Sequence, residues 1–423
     1  MRHEEVWQLM DIKTLIRFLL FDRDAIVTVA KHPRSLVLGL IFVVSAGFAR
    51  EYDGEYLLME PWHLLIPIVA SLIGCTCLVV LLKLLSARRE FSVSFKEFLA
   101  VYWMTAPLAW VYAFPFERLL DPYGATQANL WMLFVVALWR VALTIRCVQV
   151  LTGMSTRFSA VPVLLFSTAL ALLGLWLVPG PIFMIMGGVR LTDSENLVLG
   201  IRLIVGLVCG GTILIWLGAF VVLTTIEKTI SEWPLPTIHP KVSKGLWNLA
   251  LTSILIWFAF LPWTQAEQAN RFQAEKLIRN QQFEKVAELS RDKPLYQFPP
   301  HWDPPPRVGY GDYLPSAIHI AGELTEHEAA DWLKERYSNK VLQLIGGSGV
   351  LDLQLRSDRD IRDLQKLVDD GGVPANVLEA LVKSVPTSNE FPMEGRFNRD
   401  TALIELRESA SKQLIKLRHS DGQ

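Results

Sequence analysis

The sequence predicts an all-α protein: a polytopic membrane helix bundle of about seven transmembrane helices, followed by a C-terminal soluble helical domain. Hydrophobic residues make up 51% of the 423 residues and fourteen residues are Trp, yet 20% of the chain is charged. Chains beyond roughly 250–300 residues usually divide into domains. Because long apolar stretches end at Trp263 and polar helical patterns follow, we expect the charge to be concentrated in a separate part.

Residues 1–34 are predicted to form a cytoplasmic amphipathic segment. Apolar residues recur at helical spacing between Val6 and Leu19, with Lys13, Arg17 and Arg23 among them, as in helices that lie on a membrane surface. Packing on the protein's own bundle fits the same pattern, and the sequence leaves both interpretations open. The segment lacks a short apolar stretch with a small-residue cleavage site, so we expect no removable signal peptide.

Residues 35–263 are predicted to form the transmembrane bundle. A helix needs about 20 apolar residues to cross the hydrocarbon core. One candidate, Ser35 to Ala49, is short and closed by Arg34 and Arg50, which makes it the weakest span. Six further stretches are long enough: Trp62 to Leu85, Phe98 to Pro115, Asn129 to Leu151, Ala160 to Val178, Leu197 to Leu223 and Leu246 to Trp263.

The distribution of Lys and Arg predicts the orientation, because these residues accumulate in cytoplasmic loops. With seven spans, the segments on the N-terminal side hold thirteen Lys or Arg residues, whereas the opposite loops hold only Arg50, Arg118 and Arg190. Without the first span, the basic loop at residues 86–97 would move to the opposite side. We therefore predict a plasma (inner) membrane protein with a cytoplasmic N-terminus and an extracytoplasmic domain at residues 264–423.

Composition and motif searches set several functional classes aside. The formal net charge is −1 and no basic run is present, so we expect no nucleic acid partner. Cys75, Cys77, Cys147 and Cys209 lie in apolar runs and suit neither a disulfide framework nor a zinc site. The sequence shows no motif for a cofactor, a metal or a catalytic centre, so catalytic residues stay unknown and we expect no cofactor.

Arg140 is the ionisable residue nearest the middle of a predicted span. A charge deep in a bilayer is costly, which makes such a residue a functional candidate. Thr144 lies one helical turn away on the same face. We favour a structural hydrogen-bonding role for Arg140, and the alternative is an anion-binding site formed by Arg140 and Thr144 for a solute or a lipid phosphate.

A cluster of polar residues occupies the loops on the predicted outer side. Each loop has an Arg beside acidic residues, and a His follows at the start of the second span. Such groups could bind a divalent metal or form an acid/base pair acting on a lipid headgroup. We favour loop ion pairs and helix caps. The residues are Arg50, Glu51, Asp53, Glu60, His63, Arg118, Asp121, Arg190 and Asp193.

Two pairs of small residues are spaced for close helix packing, Gly206 with Gly210 and Ala70 with Gly74. Either pair predicts a point at which two helices approach each other. We favour packing within one bundle over dimerisation.

Residues 264–423 are predicted to form a soluble, mainly helical domain. An amphipathic pattern runs from Glu267 to Arg291, and Phe298 to Arg307 is a stiff proline-rich segment that we interpret as a spacer rather than a ligand strand. Thr325 and Glu328 predict a capping box at a helix start, and Val350 to Leu355 predicts a strand. Small helical domains more often bind than catalyse, although a fold alone does not establish function.

Parts of the chain resemble a family of uncharacterised bacterial multi-pass membrane proteins. The resemblance lies in Pro33-Arg34, in the loop from Ala49-Arg50-Glu51-Tyr52-Asp53 to Glu60-Pro61-Trp62-His63, and in Phe298 to Arg307. The membrane half is also similar to the Yip1-type membrane domain, from whose usual span count it departs. Neither resemblance implies an activity or a functional residue.

Three functional hypotheses follow. The first is a membrane accessory or scaffold protein that presents residues 264–423 to a protein partner. The second is a transporter or channel that uses Arg140 for an anionic solute or lipid. The third is a membrane-embedded enzyme that modifies a lipid at the outer leaflet through His63 and the loop acids.

Overall fold

The computed structural model describes residues 8–85, 94–177, 192–226, 238–306, 317–345, 358–371, 373, 375–384 and 397–420. The regular secondary structure of these residues is helical apart from two short strands. The chain divides into two compact units. We call Met1–Val178 with Leu197–Gln268 the membrane unit, and Pro179–Asn196 with Ala269–Gln423 the C-terminal unit.

Six helical stretches of the described chain are long and apolar enough to cross a membrane, or seven if one bent pair forms a single span. The bent pair is α2 (Arg23–Lys31) followed by α3 (Ser35–Glu51), with an angle of 101° between them. The predicted helical fold is therefore confirmed, and the length and composition of these helices are compatible with the predicted association with a lipid bilayer. Each of the six longer predicted spans coincides with one of these stretches: Pro61–Leu85, Phe95–Leu119, Pro122–Thr152, Thr156–Leu177, Asp193–Thr225 and Lys244–Arg279.

The N-terminal segment packs on the membrane unit. Strand β1 (Gln8–Met10) pairs in parallel with β2 (Ile238–Val242). Helix α1 (Ile12–Leu19) follows, and its face bearing Leu15 and Phe18 is buried in the main core of the unit. Of the two interpretations that the sequence left open, the structure shows packing on the bundle. An apolar face of this segment nevertheless stays exposed, formed by Leu9, Ile12, Ile16 and Leu20.

Helix α3 lies at the centre of the membrane unit, because its small and apolar residues are buried along most of its length. Ser45 shows how closely its neighbours approach. The hydroxyl donates to the carbonyl oxygen of Ser253 at 2.7 Å and accepts from the indoles of Trp110 and Trp257 at 3.1 and 3.2 Å. A short 3-10 turn, Pro61–Leu64, then leads into α4 (Ile66–Leu85).

The span from Phe95 to Leu119 is built of several pieces: α5 (Phe95–Met104), a 3-10 stretch at Ala106–Ala113, and α6 (Phe116–Leu119). Ser94 and Glu97 form a capping box at its start. Pro107, within the 3-10 stretch, cannot donate a backbone hydrogen bond, which fits the departure from α-helical geometry.

Three long helices complete the membrane unit together with the first part of a fourth. They are α7 (Pro122–Thr152), α8 (Thr156–Leu177), α9 (Asp193–Thr225) and α10 (Lys244–Arg279). Asp121 caps α7, with Oδ1 accepting from Gly124 N at 2.9 Å, and Gly153 ends it at φ 67°, a conformation that favours glycine. Phe220 is the one residue of α9 that is buried among the described residues.

Close helix packing occurs at glycines other than the predicted pair Gly206 and Gly210. A Cβ at Gly39 would stand 2.8 Å from Trp103 Cβ, and one at Gly74 would stand 3.2 Å from the Phe166 ring. At Gly210 no heavy atom would lie within 4 Å. Gly74, of the predicted pair Ala70 and Gly74, therefore lies at a close contact between helices. Gly206 and Gly210 do not lie at such a close contact within the described bundle.

The C-terminal unit has one continuous hydrophobic core. The last turns of α10 contribute Ala274 and Ile278, and the proline-rich segment contributes Phe298 and Trp302. This segment packs inside the unit, because Trp302 stacks on Phe298 with ring centroids 4.9 Å apart. The remaining helices are α11 (Phe283–Asp292), α12 (Ala317–Glu326), α13 (Asp331–Ile345), α14 (Asp358–Asp369), α15 (Ala375–Ser384) and α16 (Phe397–Ser420).

The predicted helical pattern from Glu267 to Arg291 is present as the end of α10 and α11, which are joined by a turn where Gln281 adopts a positive φ of 55°. One local prediction in this unit was wrong. Thr325 does not cap a helix. It lies inside α12, where its hydroxyl bonds back to Ala321 O at 2.8 Å, and the next helix begins at Asp331. The predicted strand at Val350 to Leu355 lies outside the described residues.

Candidate functional site

Polar groups concentrate at one end of the membrane unit, where the segments 52–60, 113–121 and 263–268 meet. We call this the loop end. The loop after α3 is held there by the side chains of α10. Thr264 Oγ1 donates to Tyr52 O at 2.6 Å, Gln265 Nε2 donates to Tyr52 O at 3.1 Å and Glu55 O at 3.0 Å, and Gln268 Nε2 donates to Asp53 O.

This arrangement follows from the sequence of α10 as it leaves its apolar stretch. Thr264, Gln265, Glu267 and Gln268 are all at least 94% buried, since their relative exposures are 2%, 2%, 6% and 1%. Buried polar groups of this kind are stabilised only when they are hydrogen-bonded. The backbone carbonyl oxygens of the loop after α3, which has little regular structure, accept hydrogen bonds from side chains of α10. The loop and the helix thus supply hydrogen-bond partners to each other.

Arg118 and Glu267 form the best-buried ion pair at the loop end. Arg118 Nη1 and Nη2 lie 3.1 and 2.7 Å from the two carboxylate oxygens, and the two side chains are only 22% and 7% exposed. The guanidinium also lies over the ring of Trp263, 4.5 Å from its centroid. Bidentate geometry and cation–π contact together fix the orientation of the Arg118 side chain.

Asp53 lies in the same region, and the pKa of its carboxyl group is raised. Burial raises the pKa of its carboxyl group to about 6, and the nearby charge of Glu117 contributes in the same direction. Arg118 and the hydroxyl of Tyr52 act in the opposite direction. Glu117 itself accepts from Asn129 Nδ2. Asp53 is therefore a group at the loop end that changes charge near neutral pH.

A second polar group at the loop end joins the end of α3 to the start of α4. The side-chain ligand atoms of Glu51, Glu55 and His63 all lie within 4.8 Å of one another. Glu60 Oε2 lies 3.7 Å from His63 Nε2, and the ring of Trp62 stacks on the His63 ring at a centroid distance of 5.9 Å. Two carboxylates and an imidazole therefore converge.

The other predicted members of the outer-loop cluster have separate places. Arg50 lies over the Tyr112 ring, 5.9 Å from its centroid, and Asp121 serves as a helix cap. Asp193 begins α9 and belongs to the C-terminal unit. Arg190 lies outside the described residues. The structure thus brings Glu51, Glu60 and His63 together, and Asp53 with Arg118, as two neighbouring groups.

Arg140 is half-buried in the membrane unit, and its guanidinium lies 5.9 Å from the centroid of the Tyr102 ring. Among the described residues, Thr144 forms no hydrogen bond with that guanidinium. Its hydroxyl instead donates to the Arg140 carbonyl oxygen at 2.7 Å. In the described part of the chain, no carboxylate forms an ion pair with Arg140. The neighbouring Trp139 indole donates to Leu19 O at 2.9 Å, so the N-terminal segment packs beside this position.

Sequence reasoning recognised Glu55 as a loop acid beside Glu51 and Asp53 but left it out of the candidate cluster, and it missed the four buried polar residues of α10. The four residues of α10 lie in the polar run Thr264-Gln-Ala-Glu-Gln268, directly after Trp263. We assigned this run to the start of the soluble domain. Residues up to Gln268 instead belong to the membrane unit. Glu55 was detectable only as an acid four residues after Glu51, a spacing that suggests proximity when the backbone turns helically.

Comparison with known proteins adds no functional information. No family model matches the chain, and neither a curated protein nor a solved structure matches it. The resemblances noted from the sequence therefore transfer no residue roles, and function is argued from the geometry alone.

Proposed function

We propose that the protein is a multi-pass membrane accessory or scaffold protein that presents its C-terminal helical unit to a protein partner. The observation that supports this most directly is α10. It is one uninterrupted helix, Lys244–Arg279, which begins with an apolar membrane-spanning stretch and ends with Ala274 and Ile278 in the core of the C-terminal unit. One helix thus includes residues of both units, as suits a protein that presents a domain at a membrane.

Exposed apolar side chains on the C-terminal unit indicate where a partner would bind. Tyr296 is 78% exposed and Leu295 is 39% exposed, side by side in the short helical turn after α11. Ile415 on α16 is 58% exposed. Tyr is enriched at protein interfaces, where it frequently carries much of the binding energy.

Site-specific photo-crosslinking in native membranes tests this function. A photoreactive amino acid at Tyr296 or Ile415 of the full chain is expected to give a discrete protein adduct on irradiation. The matched control is the same amino acid at Lys285, an exposed position on α11, which should give none. Absence of any adduct at Leu295, Tyr296 and Ile415, with the chain stably inserted, would contradict the scaffold function.

The proposed topology has seven crossings of the plasma (inner) membrane, with the N-terminus in the cytoplasm and the C-terminal unit outside it. Contacts at three levels support a full crossing by α3. Near its start, Ser35 Oγ lies 3.4 Å from Met10 Sδ, and Met10 O accepts from Ser243 N next to α10. In the middle, α3 contacts α10 through Ser45. At its end, Tyr52 O accepts from Thr264.

Helix α3 therefore contacts α10 at Ser45, the following Tyr52 contacts α10 at Thr264, and Met10 lies between the start of α3 and Ser243, the residue before α10. The seventeen residues of α3 correspond to about 25 Å of helix, close to the roughly 30 Å hydrocarbon thickness. If α10 crosses the bilayer, α3 crosses it as well. The bend before α3 then separates α2, whose residues Ala25 to Ala30 are buried in the membrane unit, from a complete span.

A second candidate function is the transport or binding of an anionic solute or lipid at Arg140. The observation that favours it is a guanidinium inside a predicted span that lies over Tyr102 without an ion-paired carboxylate in the described chain. In proteoliposomes, Arg140→Leu should abolish phosphate or chloride flux while Arg202→Leu, whose guanidinium bonds to Leu175 O, should retain it. Equal flux with Arg140→Leu and wild type would exclude this function.

A further inference from the structure

The three side chains that converge between α3 and α4 come from different elements. Glu51 is the last residue of α3, Glu55 lies in the following loop, and His63 lies in the 3-10 turn before α4. The bend of the backbone brings the first two together, since Glu55 N donates to Glu51 O at 3.1 Å. All three ligand atoms lie within 4.8 Å of one another, and all three residues are partly buried.

The surroundings of the two carboxylates favour a cation, although the charge of Arg50 already acts favourably on Glu51. Two like charges lie close together, and Glu51 stands at the C-terminus of α3, where the helix dipole favours positive rather than negative charge. The adjacent guanidinium of Arg50 lies over the ring of Tyr112. A bound cation would relieve both the mutual repulsion and the interaction with the helix terminus.

The imidazole of His63 is oriented by its neighbours. Trp62 stacks on one face of the ring, and Glu60 Oε2 lies 3.7 Å from Nε2. Histidines that bind metals commonly face a carboxylate with the nitrogen that does not bind the metal, which fixes the ring orientation. Glu60 occupies such a position beside His63.

We propose that Glu51, Glu55 and His63 form a binding site for a divalent transition metal ion of the Zn²⁺ type. Two carboxylates and one imidazole are a ligand set that such ions accept, with bonds of about 2.0–2.2 Å. Ligand atoms in a tetrahedral site are then about 3.4 Å apart, so rotation of the flexible glutamate side chains completes the approach. Three protein ligands leave a further coordination position for water.

This inference goes beyond the scaffold function and does not depend on it. The sequence left a divalent metal as the second interpretation of the outer-loop cluster, because Glu51, Glu55 and His63 have no recognisable ligand spacing and meet only through the turn between α3 and α4.

Equilibrium dialysis of the detergent-purified full chain against Zn²⁺, followed by metal analysis, tests the site. Wild type is expected to retain one Zn²⁺ per chain, whereas Glu55→Gln and His63→Gln should weaken binding by about tenfold or more. Asp53→Asn is the matched control. It alters a carboxylate in the same loop that faces Glu117 and Arg118 instead, and it should bind Zn²⁺ like the wild type.

Thermal unfolding distinguishes a lost ligand from a lost fold. Added Zn²⁺ should raise the Tm of the wild type and of Asp53→Asn, and should leave the Tm of the two ligand variants unchanged. The proposal is overturned if the wild type holds no stoichiometric Zn²⁺, if both ligand variants hold it as tightly as the wild type, or if Asp53→Asn loses it equally.

Discussion

Individual side chains at the loop end make the contacts that sequence patterns could not predict. Arg118 was recognised as a loop cation and Asp53 as a loop acid, but their partners lie far away in the chain. Glu267 is 149 residues from Arg118, and Gln268 is 215 residues from Asp53. Such pairs depend on the tertiary arrangement of α3, α6 and α10, and no local spacing encodes them.

The Arg118–Glu267 pair leads to the first prediction. Replacing Glu267 by Gln leaves a buried guanidinium without its counter-charge, which costs about 2–4 kcal/mol of stability in comparable sites. We expect this loss in SDS-induced unfolding of the detergent-solubilised chain. Glu284→Gln, at an exposed position, should have no measurable effect.

A double-mutant cycle isolates the pair itself. The combination of Glu267→Gln with Arg118→Leu should be less destabilising than the sum of the two single changes. Strict additivity would mean that the two side chains do not stabilise each other.

Asp53 leads to a pH-dependent prediction. Because burial and Glu117 raise the pKa of its carboxyl group to about 6, the folded chain holds the proton more tightly than the unfolded chain does. Stability is then highest below the ordinary carboxyl range and falls as pH rises from about 4 to about 6. Asp53→Asn removes the charge that forms, and at pH 7.5 it should stabilise the fold by roughly 1 kcal/mol after allowance for solvent screening.

The measurement is the Tm of wild type and Asp53→Asn across pH 4.5–8. The two values should be similar near pH 4.5 and separate in favour of the variant towards pH 7. A constant difference over the whole range would show that the charge of Asp53 is not responsible.

At the scale of single elements, the sequence predicts membrane helices well because hydropathy and length are local properties. All six longer spans coincide with helical stretches. Prediction failed where a helix end depends on packing: Thr325 bonds inside α12 instead of capping the next helix. Periodicity indicates that a helix exists, whereas tertiary contacts decide where it stops.

Helix α3 gives a prediction at this scale. Gly39 lies against α5, where a Cβ would stand 2.8 Å from Trp103 Cβ. Gly39→Ala should therefore destabilise the membrane unit by about 1–3 kcal/mol, as overpacked cores do. Gly210→Ala on α9 is the control, because open space surrounds a Cβ there and alanine favours helices. The comparison uses SDS-induced unfolding, and equal effects of the two changes would contradict the close α3–α5 contact.

For the whole molecule, the number of times that the chain crosses the bilayer decides on which side the C-terminal unit lies. Thirteen Lys and Arg residues on the predicted cytoplasmic side against three on the other support seven crossings. The contacts of α3 with α10 at Ser45, and of the following Tyr52 with Thr264 of α10, support the same number. If this topology holds, the C-terminal unit and the proposed metal site both lie outside the cytoplasm.

The most direct test is the side of the membrane on which Gln423 lies. Two reporters are fused after Gln423 in turn, one active only in the cytoplasm and one active only outside it. We expect activity from the second reporter alone, which agrees with a full crossing by α3 and an extracytoplasmic C-terminal unit. Activity from the cytoplasmic reporter alone would contradict seven crossings and would place the C-terminal unit on the same side as the N-terminus.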